Sequence, residues 1–222
     1  MRFITLTLLL SMLSCFTATG EAKTIRDLFA SEPNNIFMLL RDRTRLDMLD
    51  YYDSGQKVAA SNRLSGDDTA SQLIEVTQNS ISLQLTDATR VDMLLYETVH
   101  GKDSVVAVVK TALLPMPDSR IAFYDTNWKL LNKKQIFAEP TINDFIMPGT
   151  NKDALETIND IVKFPIISYD IAADDATTTI TAHLNLEQFL SADDWAKVKP
   201  YLRQSLTYRR QGRSTKFKLQ KQ

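Results

Sequence analysis

The residues that come closest to a catalytic pattern in this sequence are Asp125 and Asn127, which follow the apolar run Ile121–Tyr124. Phosphatases that form an aspartyl intermediate need a nucleophilic Asp after a strand and a second carboxylate two residues later as acid and base. Asn127 cannot exchange that proton, and no helix pattern follows that would bind a phosphate. The pattern favours a hairpin turn, and Asp125 is a catalytic candidate only under the alternative hypothesis of a periplasmic hydrolase.

The sequence offers no spacing typical of a metal or cofactor site. His100 and His183 lie far apart, in a predicted turn and a predicted strand. Three carboxylate pairs fall in predicted turns or at a helix start, where turn and capping chemistry explains them, and none has the alternating spacing of a calcium loop: Asp67-Asp68, Asp174-Asp175 and Asp193-Asp194. With six glycines, the chain contains neither a phosphate-binding loop nor Gly-x-Ser-x-Gly. We predict no metal and no cofactor.

The carboxyl-terminal segment has the strongest charge pattern in the chain. Nine of the 26 Lys and Arg residues lie from Lys197 onward, where there is no Asp or Glu, although the formal net charge of the whole chain is only −1. A basic end therefore follows an acidic body. Such a pattern is typical of a contact surface for an anionic partner.

A hairpin is predicted within this basic segment. Leu206 and Tyr208 alternate in its first strand and Phe217 and Leu219 in its second, around the turn 211–214. These four side chains are expected to face the core, which puts three basic ones in water on the other side: Arg209, Lys216 and Lys218. They form a candidate contact surface for acidic lipid head groups, an anionic glycan or an acidic protein. The alternative is that these charges only protect the edge of the sheet from pairing with another strand. Because the aromatic residues fall on the core side, we predict no nucleic-acid binding.

The amino terminus has the pattern of a secretory signal peptide over residues 1–22. Arg2 precedes an apolar run that is too short for a permanent membrane span, and small residues precede cleavage points after Gly20 or Ala22. We therefore expect export to the periplasm. The alternative is a lipid anchor at Cys15, although Met12-Leu13 occupies positions where lipoprotein signals usually carry Leu and a small residue. Cleavage would remove the single cysteine, so we expect no disulfide.

Strand patterns dominate the middle of the chain and must position any site. Between residues 81 and 131, four apolar runs alternate with turn-like spacers, which predicts an antiparallel meander. Val105–Val109 has no polar member, so it predicts a strand covered on both faces. A helix is predicted from Ser31-Glu32-Pro33, with Ser31 as its cap. Two further helices are predicted after Asn151 and Ser191, separated by a hairpin.

We therefore predict an α+β fold in which helices pack on one face of antiparallel meanders. Residues 23–138 form the helices and the main meander, and residues 139–222 form a second α+β lobe packed on the first. The second lobe either continues the first domain or is a related copy of it.

Three segments carry a resemblance to a known family. They are Asn62-Arg63-Leu64, Ile81-Ser82-Leu83-Gln84-Leu85-Thr86 and the stretch from Asp118-Ser119-Arg120 to Trp128, after a helix with Arg45-Leu46-Asp47. In content and order they resemble a family of exported proteins of unknown function from Gram-negative gut-type bacteria. The resemblance covers most of the chain after the signal. It implies export and a shared fold, and no catalytic residue.

Together these patterns favour an envelope protein without catalysis, which binds a protein, a peptide or a glycan through its surface. The complete core pattern and the lack of a reactive constellation support this interpretation. A periplasmic hydrolase that uses Asp125 is the alternative. The basic carboxyl-terminal hairpin could also make a peripheral membrane contact.

Overall fold

The computed structural model describes residues 22–33, 35–56, 58–62, 70–98, 104–174, 177–212 and 214–220. It confirms the predicted α+β class, because two antiparallel sheets and six helices account for the described ranges. Residues 1–21 of the predicted signal segment, including Cys15, lie outside them, as do His100 and the pair Asp67-Asp68.

The elements follow one another in an order that alternates helices with antiparallel strands. The helices are α1 (Ile25–Ser31), α2 (Asp42–Asp53), α3 (Lys133–Ile136), α4 (Ile142–Phe145), α5 (Lys152–Ile161) and α6 (Ala192–Val198), followed by a 3-10 turn (Lys199–Tyr201). The strands of the first sheet are β1 (Ala60–Ser61), β2 (Ala70–Val76), β3 (Ser80–Thr86), β4 (Thr89–Glu97), β5 (Ser104–Ala112) and β6 (Asp118–Asp125). Those of the second are β7 (Ile167–Ala173), β8 (Thr177–Leu184), β9 (Ser205–Gln211) and β10 (Lys218–Leu219).

The first sheet is a six-stranded meander in chain order, and β5 has core on both of its faces. Val105–Val109 is buried throughout. Val106 and Val108 face the layer of α1 and α2, whereas Val105 and Val109 face the core shared with the second sheet. The prediction of a strand covered on both faces is confirmed, because an apolar run without alternation can be stable only where neither face meets water.

A buried arginine joins α1 to α2. Arg45 has no exposed surface, and its guanidinium donates hydrogen bonds to the carbonyl oxygens of Ala30, Glu32 and Leu40. These carbonyls lie at the end of α1 and in the connection, where no helical partner is present. Arg45 therefore supplies the donors that the chain needs between the two helices.

The second sheet has the order β10-β9-β8-β7 and packs one face against the first sheet. The core between the sheets also takes side chains from α3 to α6, among them Ile136, Phe145, Ile158 and Trp195, and Phe137 just after α3. The outer edge of β7 is closed by side chains of the first sheet, since the backbone N–H of Tyr169 donates to Ser119 Oγ at 3.1 Å. The two sheets thus share one continuous core.

The predicted helix start at Ser31-Glu32-Pro33 is wrong. Helix α1 begins earlier, where Thr24 and Asp27 cap each other's backbone N–H groups, and it ends at Ser31. The Glu32 carboxylate then accepts the backbone N–H groups of Asn35 and Ile36 at 2.8 Å each. It stabilises a turn in the connection between α1 and α2. A side chain that caps a turn in this way gives the same sequence pattern as a helix start, which is why the prediction was wrong.

Leu219 was predicted to face the core and is 39% exposed instead. Strand β10 has only two residues and pairs with β9 alone, at the edge of the sheet. Phe217, just before β10, is buried and donates its backbone N–H to the Ile136 carbonyl at 2.8 Å. The chain therefore buries Phe217 and leaves Leu219 at the rim of the core.

Candidate functional site

The second sheet has one face that no other element within the described ranges covers, and we call it the outer face. None of its side chains is buried, and all of them except Ala172 are polar or charged. They are Ser168, Asp170 and Ala172 of β7, Thr177, Thr179, Thr181 and His183 of β8, Ser205, Thr207, Arg209 and Gln211 of β9, and Lys218 of β10.

Alternation along the strands produces this face. In β8, Ile180, Ala182 and Leu184 are buried while the residues between them are half-buried. Threonine suits such a position, because its β-branched side chain packs on a pleated surface and its hydroxyl stays in contact with water. The strands are therefore mainly apolar toward the first sheet and rich in hydroxyl groups on the outer face.

Two basic side chains stand opposite each other at the edge of the outer face, and we call Arg209 and Lys218 the basic pair. They are register partners on β9 and β10, and both are exposed. Within the described ranges, no carboxylate lies within 4.0 Å of either side chain. Like charges directly opposite on neighbouring strands destabilise a sheet by roughly 0.2–1 kcal/mol. Lys216, just before β10, is also exposed and adds to this positive edge.

The neighbouring Arg210 has the opposite environment. It points inward, its guanidinium lies 4.5 Å from the centre of the Tyr96 ring, and it donates to the carbonyl oxygens of Glu97 and Gly212 and to Thr178 Oγ1. Burial lowers the pKa of Arg210 and raises the pKa of the Tyr96 hydroxyl. Arg210 therefore belongs to the core, and only Arg209 offers its charge to a partner.

A chain of charged side chains crosses from the first sheet to the outer face. Arg90 of β4 contacts Asp92 at 2.9 Å and Asp170 at 3.4 Å, and Asp170 Oδ2 lies within hydrogen-bond distance of His183 Nε2, at 3.0 Å. Because Asp170 forms an ion pair with Arg90, its negative charge is compensated locally. The acidic residue on the outer face thus leaves the basic pair unopposed.

Asp125 is the last residue of β6, and its carboxylate makes hydrogen bonds that stabilise the following turn. Its Oδ1 accepts the backbone N–H groups of Asn127 at 2.8 Å and Lys129 at 2.9 Å. These bonds stabilise a turn in which Trp128 has a positive φ of 63°, a conformation that costs energy for a residue with a bulky side chain. The carboxylate is therefore occupied as an acceptor in the turn that the sequence favoured.

The described residues contain no group of three or more His, Cys, Asp and Glu side chains that could hold a metal ion. One member of each of the second and third carboxylate pairs serves local structure: Asp174 accepts the backbone N–H of Thr177 at 2.6 Å, and Asp194 lies in the first turn of α6 and contacts Lys197. Asp175 lies outside the described ranges. None of the helices within those ranges combines the length and the apolarity required to cross a bilayer.

Comparisons with known proteins identify a family. A family model with the description "Protein of unknown function (DUF3256)" matches residues 17–215. The chain belongs to this family. A search of curated proteins gives no match. Among solved structures, the chain is similar to a domain of an uncharacterized protein from Porphyromonas gingivalis W83, with 22% identity, a TM-score of 0.73 and coverage of 89% of this chain and 98% of that one. At this identity the likeness shows a shared fold.

Sequence reasoning placed Arg209, Lys216 and Lys218 in water, where the structure of this DUF3256 member also has them, but it missed two features. The inward position of Arg210 could have been found, because it has the same parity along β9 as Leu206. Nothing in the sequence indicated that Asn185 and His183 meet the connection between β5 and β6, because that contact joins segments far apart in the chain.

Proposed function

We propose that this protein is a non-catalytic binding module of the bacterial envelope, and that it holds an anionic glycan on the outer face of the second sheet. The basic pair is the observation that supports the proposal. Arg209 and Lys218 repel each other without a carboxylate nearby in the described structure. An anionic group bound between them would relieve this repulsion. The free energy that the repulsion costs the unliganded protein would then favour ligand binding.

The chemistry of the rest of the face favours a glycan over other polyanions. Six hydroxyl side chains line it, none of its large side chains is apolar, and it contains no Phe, Tyr or Trp. A membrane-binding surface needs apolar side chains that enter the lipid. Single-stranded nucleic acid needs aromatic rings on which bases stack. A flat surface of hydroxyl groups with cations at one edge suits a hydrated, acidic polymer best.

The test is a triple charge reversal, Arg209→Glu, Lys216→Glu and Lys218→Glu, in the full chain. Its matched control reverses three exposed lysines that lie elsewhere, Lys129, Lys134 and Lys163. The probes are polygalacturonate, vesicles that contain phosphatidylglycerol, and a single-stranded oligonucleotide, each measured at low and at high salt.

We expect polygalacturonate to bind the parent and the control alike, and the triple variant to bind it at least about tenfold more weakly, a loss of ~1.4 kcal/mol. High salt should also weaken binding, because exposed charges are screened over roughly 8 Å at physiological ionic strength. The thermal midpoint should stay nearly unchanged. Binding that survives the reversal would contradict the proposal, and so would tighter binding to vesicles or to the oligonucleotide.

We also propose that the chain reaches the envelope through its amino-terminal segment. The charged, apolar and small-residue order of residues 1–22 supports export. Amino-terminal sequencing of protein from the periplasmic fraction should begin at Glu21 or Lys23. Full-length protein in the cytoplasm would contradict export, and a lipid on Cys15 would establish the membrane-anchored alternative.

A further inference from the structure

A cleft opens where the outer face meets the connection between β5 and β6. It has a volume of about 400 Å³, which is within the range of small-ligand sites. Met116 and Pro117 form one side, and Leu184 at the end of β8 contributes a further apolar contact. The remaining lining is polar, so the cleft combines an apolar floor with hydrogen-bonding side chains.

Two of the polar side chains are held in fixed orientations. Asn185 donates both of its amide hydrogens inside the protein, to the Pro117 carbonyl oxygen at 2.7 Å and to Ser168 Oγ at 2.9 Å. Its Oδ1 is therefore left as an acceptor. His183 is oriented by Asp170, which contacts its Nε2 at 3.0 Å, and within the described ranges its Nδ1 has no partner. Because these orientations are set before a ligand arrives, binding would cost little side-chain entropy.

The other two polar side chains are free to adapt. Gln188 and Gln204 line the cleft, both are exposed, and in the described structure neither side chain makes a hydrogen bond. Each amide can donate and accept at once. Neighbouring hydroxyl groups of a sugar ring have the same double requirement, and the C–H face of the ring packs on apolar side chains such as Met116 and Pro117.

We infer that this cleft binds a neutral sugar unit of a glycan. The inference rests on the proposed function for the identity of the polymer, and it adds a second contact to the basic pair. Glu187 also lines the cleft, so a carboxylated sugar would be repelled there. His183 is the register partner of Ser205, and Arg209 follows four residues later, about 13 Å away at ~3.3 Å per residue. The ligand class is therefore a glycan whose acidic groups are separated by neutral units.

The cleft can be tested without the basic pair by using uncharged probes. Cellohexaose, maltohexaose, xylohexaose and chitohexaose are titrated into the full chain by calorimetry. The test variant is Gln188→Ala with Gln204→Ala, since neither side chain supports the fold. The matched control is Gln78→Ala with Gln135→Ala, two exposed glutamines away from the cleft. The triple charge reversal of the basic surface serves as a second control.

We expect at least one hexasaccharide to bind the parent, the glutamine control and the charge-reversed variant with equal affinity. The cleft variant should lose at least about tenfold in affinity, ~1.4 kcal/mol, and Asn185→Asp should weaken binding as well. If none of the four probes binds, or if the cleft variant binds as the parent does, the inference is overturned. A further outcome is that the neutral probes bind while the triple charge reversal leaves the affinity for polygalacturonate unchanged. That result would support the cleft and contradict the proposed contact between the basic pair and an acidic group.

Discussion

The two sheets of this protein are built from similar antiparallel strands but differ in how much of their faces is exposed to solvent. β5 in the first sheet is buried at Val105–Val109 because layers cover both of its faces. β8 in the second sheet is apolar on one face only, and its other face carries Thr179, Thr181 and His183. The two sheets share one core, but among the described residues β5 is buried on both faces, whereas β8 leaves one face exposed to water.

The same contrast appears between two adjacent arginines on one strand. Arg210 is 7% exposed and donates several hydrogen bonds inside the protein, whereas Arg209 is exposed beside Lys218. Identical side chains therefore have different roles, which are set by strand parity. Four predictions test this comparison, beginning with the one that should have the largest effect.

A charge in the doubly covered strand should abolish folding. Val106→Asp would place an unpaired carboxylate at a position with no exposed surface. Such a group costs several kcal/mol, a large part of the roughly 5–15 kcal/mol that keeps a domain folded. The matched change on the outer face, Thr181→Asp, should leave the thermal midpoint within a few degrees of the parent. Circular dichroism melts distinguish the two, and equal loss in both would remove the contrast between the sheets.

Replacing the buried arginine should destabilise the protein strongly, and replacing the exposed one should not. Arg210→Met loses the hydrogen bonds to Glu97, Gly212 and Thr178, for which we expect a cost of roughly 2–4 kcal/mol in the free energy of unfolding. Arg209→Met should change that free energy by no more than about 0.5 kcal/mol. Denaturant titrations measure both. A small cost for Arg210→Met would mean that its packing on Tyr96 and its carbonyl contacts contribute little.

The core between the sheets should be sensitive to alkali. Burial raises the pKa of Tyr208 to about 12 and also raises the pKa of Tyr96 and Tyr169, whereas the unfolded value is about 10. Because the folded state holds these protons more tightly, their contribution to stability is complete below about pH 10 and is lost as the pH rises toward 12. Among the described residues, the layer of α1 and α2 contains no buried tyrosine.

The measurement is the denaturant midpoint of the parent and of Tyr208→Phe from about pH 9 to pH 12. The phenylalanine variant should lose less stability over this interval, since it has one proton fewer to release on unfolding. An identical decline in both proteins would show that Tyr208 is not part of the alkaline transition.

The smallest expected effect is a gain in stability. Lys218→Thr removes one member of the basic pair, and relief of the repulsion should raise the free energy of unfolding by roughly 0.2–0.5 kcal/mol at low salt. The gain should shrink at high salt, because the charges are exposed. Lys134→Thr, at an exposed site away from the outer face, should show no such gain. A loss of stability in Lys218→Thr would mean that the pair is not strained in the free protein.

The sequence by itself determined much of the secondary structure and half of the candidate site. Local patterns predict three features: the apolar run of β5, the alternation in β8 and β9, and the turn at Asp125. Each depends on residues only a few positions apart, through the two-residue period of a strand or the side-chain chemistry of a turn. The same reasoning placed Arg209, Lys216 and Lys218 in water.

Only the tertiary structure decided which surface stays open and what lies beside it. The outer face exists because α3 to α6 pack on the inner side of the second sheet. Arg210 is buried because Tyr96 lies beneath it, and the cleft exists because Asn185 meets Pro117, 68 residues earlier in the chain. Contacts between residues so far apart in the sequence arise from the packing of whole layers. A local sequence pattern cannot predict which layer covers which face of a sheet.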